Sequence, residues 1–169
     1  MKLSNKIILV LSGISDSEFA KRRTKYLKTG YRTLGIPVSK VRTLTNNCSL
    51  QYLIKTSPES FKKEALRLIK HPFFDFKIAG IVLLGIISKK KALKDLRIIN
   101  EIIYYLKGWA LVDTLATDVV AKIIKNYPKN ARFLIDWTLS ENSDLRRCAI
   151  VSLIKSEKYI KNWCRYSFL

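Results

Sequence analysis

A ten-residue pattern recurs along this chain at a fixed interval, and it restricts the architecture more than any other feature. Asp75-Phe-Lys-Ile-Ala-Gly-Ile-Val-Leu-Leu84 aligns with Asp144-Leu-Arg-Arg-Cys-Ala-Ile-Val-Ser-Leu153, 69 positions later. Ala110-Leu-Val-Asp-Thr-Leu-Ala-Thr-Asp-Val119 lies between them, at offsets of 35 and 34. A period near 35 accommodates two helices and a turn. Such a pair buries its apolar stripe only by stacking on neighbouring pairs, so the expected product is an α-α superhelix, or solenoid. All 169 residues then form a single repeat domain.

Helix punctuation supports an all-α fold. Ser15 or Asp16 can cap a helix through Lys28 that Gly30 ends. Pro37 suits the first turn of a helix through Asn47, and Ser57-Pro58-Glu59 joins a cap, a first-turn proline and an acid. Further helices are predicted from Pro72 to about Ile87, over Ala92–Lys107, Trp109–Lys125, Pro128–Leu139 and Asn142–Ser156, with a shorter one after Glu157. No segment keeps a period of two, and only 6 Gly and 4 Pro are present, too few for the turns of a sandwich or barrel.

Charge points to the partner. Lys and Arg total 32 against 13 Asp and Glu, a formal net charge of +19. Lys21, Arg22, Arg23, Lys25, Lys28, Arg32, Lys40 and Arg42 crowd one acid-free stretch. A repeat protein places equivalent positions on one face, so these residues are expected to line a concave basic groove suited to a phosphate backbone. The apolar run Ile7–Leu11 after Lys6 is short and lacks a cleavage site, so a first amphipathic helix and a cytoplasmic protein are expected. The longest apolar stretch, Ile78–Ile87, is too short to span a membrane.

Few residues are available for chemistry. Cys48, Cys148 and Cys164 form no C-x-x-C pair and His71 is the only histidine, so buried or free thiols are expected. No residue cluster implies a metal or an organic cofactor, and no phosphate loop, nucleophile elbow or paired-carboxylate motif occurs. Three residues remain: Trp109 and Asp113, four apart on one helical face, and Arg147, one period further on. Stacked repeats bring Arg147 near Asp113. Spacing alone favours a structural ion pair with Trp109 in the core over a catalytic set.

These same residues carry a resemblance. Tyr26-Leu-Lys-Thr-Gly-Tyr-Arg-Thr-Leu-Gly-Ile-Pro37 with Val41-Arg42, His71-Pro-Phe-Phe-Asp-Phe-Lys-Ile-Ala79, Trp109-Ala-Leu-Val-Asp113, and Trp137 with Ser140–Arg147 resemble, in order and spacing, motifs of the DNA alkylation repair family. This is the family of AlkD-like glycosylases built of HEAT-like repeats. The similarity covers about residues 20–155, Asp144 stands where the family usually has Trp, and the chain reads as C-terminally shortened, with the tail 157–169 unassigned and Trp163 a packing residue.

The resemblance implies excision of N3- and N7-alkylated purines from double-stranded DNA without flipping the base into a pocket. It implies that Asp113 is the catalytic carboxylate and that Trp109 packs on the lesion's sugar. Arg147 would hold a phosphate and Tyr26 would lie near the DNA; as basic residues, Arg146, Lys28, Arg32 and Arg42 are also expected to contact DNA. A monomer is expected. The alternatives are a non-catalytic repeat protein that recognises distorted or branched DNA, and a scaffold for an acidic protein or RNA.

Overall fold

The computed structural model describes the backbone of residues 1–167 and the side chains of residues 1–156. Among the described residues its regular structure is helical, with one isolated bridge between Arg32 and Phe73 in place of any strand. Ten α-helices follow one another: α1 (Leu3–Ser12), α2 (Ser17–Leu27), α3 (Val38–Lys55), α4 (Pro58–Ile69), α5 (Phe74–Lys89), α6 (Arg97–Ile102), α7 (Trp109–Leu115), α8 (Ala121–Asn126), α9 (Arg132–Thr138) and α10 (Ser143–Ser167). The all-α expectation therefore stands. The chain divides into two compact units, Met1–Leu84 and Gly85–Leu169. No helix among the described residues is long and apolar enough to cross a membrane.

In the first unit, α1 packs on α3 and α4. Leu3, Ile7 and Leu11, at helical spacing, join Phe61, Ala65, Leu68 and Ile69 in a core with almost no solvent contact. Asp16 caps α2, its Oδ1 accepting from Phe19 N at 2.9 Å, and Ser57 caps α4 through Ser60 N. Two predicted ends moved. Helix α2 stops at Leu27 because Lys28 itself takes the left-handed conformation, φ 50°, ahead of Gly30, and α3 continues past Asn47 to Lys55.

Gly35 is required by space as well as by its φ of 73°. A Cβ there would stand 2.0 Å from Asp16 O, where the 29–37 loop crosses the start of α2.

In the second unit, α10 packs along α7, α8 and α9. Its core includes Ile99, Leu106, Leu111, Leu115, Ile123, Leu134, Trp137, Cys148 and Ala149. The helix predicted over Ala92–Lys107 is shorter than its apolar spacing suggested. Lys91 has φ 60°, Ala92 N and Leu93 N both donate to Ile87 O, and Asp95 Oδ1 accepts from Arg97 N, so α6 starts only at Arg97. Leu93 and Leu96 are nevertheless buried, because the pattern recorded burial rather than helix. The tail after Glu157 continues α10 rather than forming a separate helix. The side chains of Trp163 and Cys164 lie outside the described residues.

The period found in the sequence reappears as hydrogen bonds. Asn126 Nδ2 donates to Ser88 O at 2.7 Å, Tyr127 OH to Lys91 O at 2.8 Å and Asn130 Nδ2 to Lys94 O at 3.0 Å, across separations of 38, 36 and 36 residues. Arg147 reaches Asp113 across 34. Side chains of one helical pair thus satisfy the loop carbonyls and polar groups of the pair before it, which is how stacked repeats are held in register.

Candidate nucleic-acid site

Trp109 opens α7. Gly108 precedes it with φ 89°, a conformation that a side chain would resist, and Gly108 O accepts from Leu111 N and Val112 N to start the helix. Leu111, Val112 and Leu115 face the core, which turns Trp109 and Asp113 outward together. Trp109 is 45% exposed, so the expectation of an indole plugging the core does not hold. Asp113 is followed by a π-helical turn, Ala116–Val120, before α8 begins. Thr114 and Thr117 hydroxyls donate back to Ala110 O and Asp113 O, competing with the regular helix ladder as it loosens. Such single π turns are frequent at functional sites.

Arg147 comes from the second turn of α10. Asn142 Oδ1 caps this helix by accepting from Asp144 N at 2.9 Å and Leu145 N at 3.3 Å. Leu145, Cys148, Ala149 and Ser152 form the buried stripe, and Arg147 projects beside it. Its Nε donates to Asp113 Oδ1 at 2.6 Å and its Nη2 to Oδ2 at 2.8 Å, a bidentate pair. The hydrogen bond to Asp113 raises the guanidinium pKa first. Burial opposes it, and the charges of Asp113 and Asp144 add smaller upward pulls.

The pair is half-open to water, with side-chain exposures of 47% and 31%. Its bidentate geometry sets it apart from the ordinary surface pair, which contributes at most about 1 kcal/mol. The neighbouring Cys148 is no alternative nucleophile. Burial pushes its thiol up to about 12, with a Ser152 hydrogen bond opposing.

The other residues expected to contact DNA divide between the two units. Arg146, exposed on α10, donates from Nη1 to Ser140 O at 2.7 Å and Glu141 O at 2.9 Å, so it closes the loop before its own helix. In the first unit, Tyr26 is 71% exposed in the last turn of α2, Lys28 is exposed at the left-handed end of that helix, and Arg42 is half-buried on α3. Arg32 holds its guanidinium over the Phe73 ring, 4.8 Å from the centroid.

Sequence reasoning missed what holds this segment in place. Asp75 is fully buried and accepts from Arg23 Nη1 at 2.7 Å, Thr33 Oγ1 at 2.8 Å, Leu34 N at 2.6 Å and Ile36 N at 3.2 Å. Arg23 donates in addition to Ile36 O, and it lies over the rings of Phe19 and Phe74. The 29–37 loop is therefore clamped onto the start of α5. The signal was present as the isolated acid of the Asp75 decapeptide, preceding a run that is apolar apart from Lys77.

The fold and this site define a class: an all-α helical-repeat protein presenting an indole, a carboxylate and a guanidinium on one exposed face. A family model described as DNA alkylation repair enzyme matches residues 7–163, and the chain belongs to that family. No curated protein matches the chain significantly. Membership carries a general role in DNA repair, with DNA as the partner.

Proposed function

We propose that the protein is a DNA glycosylase that removes N3- and N7-alkylated purines from duplex DNA without drawing the base into a pocket. The observation that carries this reading is the exposed Trp109–Asp113–Arg147 set. It is an indole and a carboxylate on one helical face, with a guanidinium bound to the carboxylate by two short hydrogen bonds.

An alkylated purine of this kind already bears positive charge. When the bond from C1′ of the sugar to the base nitrogen breaks, its electron pair passes to the base, which leaves neutral, and no general acid is needed. Positive charge develops on the sugar instead. A fixed carboxylate such as Asp113 stabilises it and orients a water molecule toward C1′; the water oxygen forms the new bond and its surplus proton goes to solvent. The face of Trp109 adds attraction for the cation. Arg147 takes the backbone phosphate beside the lesion, releasing the carboxylate as DNA docks. The net charge of +19 supplies the non-specific part of the affinity.

The competing reading is a non-catalytic protein that binds distorted or branched DNA. It draws on the same bidentate pair, which occupies both oxygens of Asp113 in the free chain. Base release from a duplex containing one 7-methylguanine separates the two: the glycosylase reading requires free base, and binding without release leaves only the alternative.

A further inference from the structure

We propose that the first unit carries a separate pocket for an unpaired nucleobase with its phosphate. The proposal stands on that pocket alone and is independent of base excision at Asp113.

An open groove of about 680 Å³ lies between the end of α2, the 29–37 loop and the start of α5. Small-molecule pockets typically enclose roughly 300–1,000 Å³, which covers a nucleotide. Its lining combines two aromatic rings, Tyr31 and Phe73, with three cations, Lys25, Arg32 and Lys21, the last paired with Glu18 at 2.9 Å. Rings give a base a stacking surface, while the cations meet a phosphate, and both are needed to hold a nucleotide.

The arrangement is fixed before any ligand arrives. Arg32 holds its guanidinium over the Phe73 ring, and buried Lys77, hydrogen-bonded through Nζ to Ile69 O, backs the Tyr31 ring 4.6 Å from its centroid. Arg32 O accepts from Phe74 N at 2.8 Å, and the Thr33 hydroxyl is anchored on buried Asp75, so the loop carrying Tyr31 and Arg32 is tied at two points to α5. Gly30, φ 75°, has no atom within 4 Å of where a Cβ would stand, which keeps that edge open.

Shape and composition also select against other ligands. A bare phosphate would use the cations and gain nothing from the aromatic side of the groove. The bases of an intact duplex are stacked on each other and offer no face to Tyr31 or Phe73. An unpaired base satisfies both halves of the site, whether it belongs to a free nucleotide or to single-stranded DNA.

The test is binding of a short fluorescein-labelled oligo(dT) to the intact chain, measured by anisotropy. Tyr31→Ala and Phe73→Ala should each weaken it about tenfold, the loss expected for one base–aromatic stack. Lys90→Ala, an exposed cation outside the pocket, should leave it within about twofold. Thymidine monophosphate should compete, and inorganic phosphate at equal concentration should not. A mononucleotide as strong as the oligonucleotide assigns the site to free nucleotides, and a stronger oligonucleotide assigns it to single strands. Because half-buried Phe73 also packs against its neighbours, photocross-linking from a 5-bromodeoxyuridine oligonucleotide on the unaltered chain gives a second reading. The expected adduct lies on the peptide carrying Tyr31 or Phe73. Competition by duplex equal to oligo(dT) with Tyr31→Ala unchanged, absence of binding, or adducts confined to other peptides would overturn the proposal.

Discussion

Replacing Arg23 by Leu should destabilise the first unit more than any surface substitution, and the structure sets the scale. Asp75 has no solvent contact, and of its four donors only Arg23 carries charge. Removing the guanidinium leaves a carboxylate buried among one hydroxyl and two backbone N–H groups, and breaking a buried pair in this way typically costs about 3–5 kcal/mol. The lost bond to Ile36 O and the lost contacts with Phe19 and Phe74 act in the same direction. A chain of this size loses roughly 2–4 °C of melting temperature per kcal/mol, so a drop of about 6–20 °C is expected. Far-ultraviolet circular dichroism melts measure it, with urea unfolding as an independent scale. Lys21→Ala is the control, since the Lys21–Glu18 pair is about three-quarters exposed on both sides and should leave the melt unmoved. If Arg23→Leu melted within about 2 °C of the parent, the claim that this clamp holds a buried charge would be wrong.

Three further predictions follow from other parts of the molecule. Lys77 is 2% exposed and burial lowers its pKa to about 8, below its ordinary 10.5. The unfolded chain therefore binds the extra proton between those values, and stability should rise with pH across that window, by up to about 3 kcal/mol relative to Lys77→Met in urea titrations; a flat difference would refute it. Gly30 and Gly35 share a φ near 74°, but only Gly35 is crowded. Gly30→Ala should thus cost about 1–2 kcal/mol, whereas Gly35→Ala should abolish the folded state of the first unit by circular dichroism. Duplex affinity should fall steeply with salt, with a log–log slope near −5 if about six phosphates are neutralised, and a slope near zero would exclude DNA as the partner.

The sequence made the fold class legible because burial and helix spacing agree over most of the chain, from α1 through α5 and again from α7 to α10. It failed where they part. Leu93 and Leu96 keep helical spacing but lie in a loop, because the left-handed turn at Lys91 and the Asp95 cap are local backbone events that periodicity does not report. The Asp113–Arg147 pair was legible from the repeat length, since equivalent positions of stacked pairs must meet. The exposure of Trp109 was legible through the resemblance but not from spacing, because the orientation of a seven-residue helix depends on what packs behind it. The Asp75 clamp was half legible: the lone acid stood out, but its partners lie 39–52 residues away, Arg23 on a predicted helix and Thr33, Leu34 and Ile36 in a segment that reads as loop.

The central claim is that Asp113 stabilises charge on the sugar while Arg147 turns to the backbone. The most direct measurement is single-turnover release of 7-methylguanine from a duplex bearing one such base, with the unaltered chain beside Asp113→Asn and duplex binding recorded in parallel. Asparagine keeps the shape but not the charge. The account predicts release by the unaltered chain, loss of release in Asp113→Asn, and binding retained in both. Release undiminished by Asp113→Asn, or tight binding with no release by either protein, would contradict it.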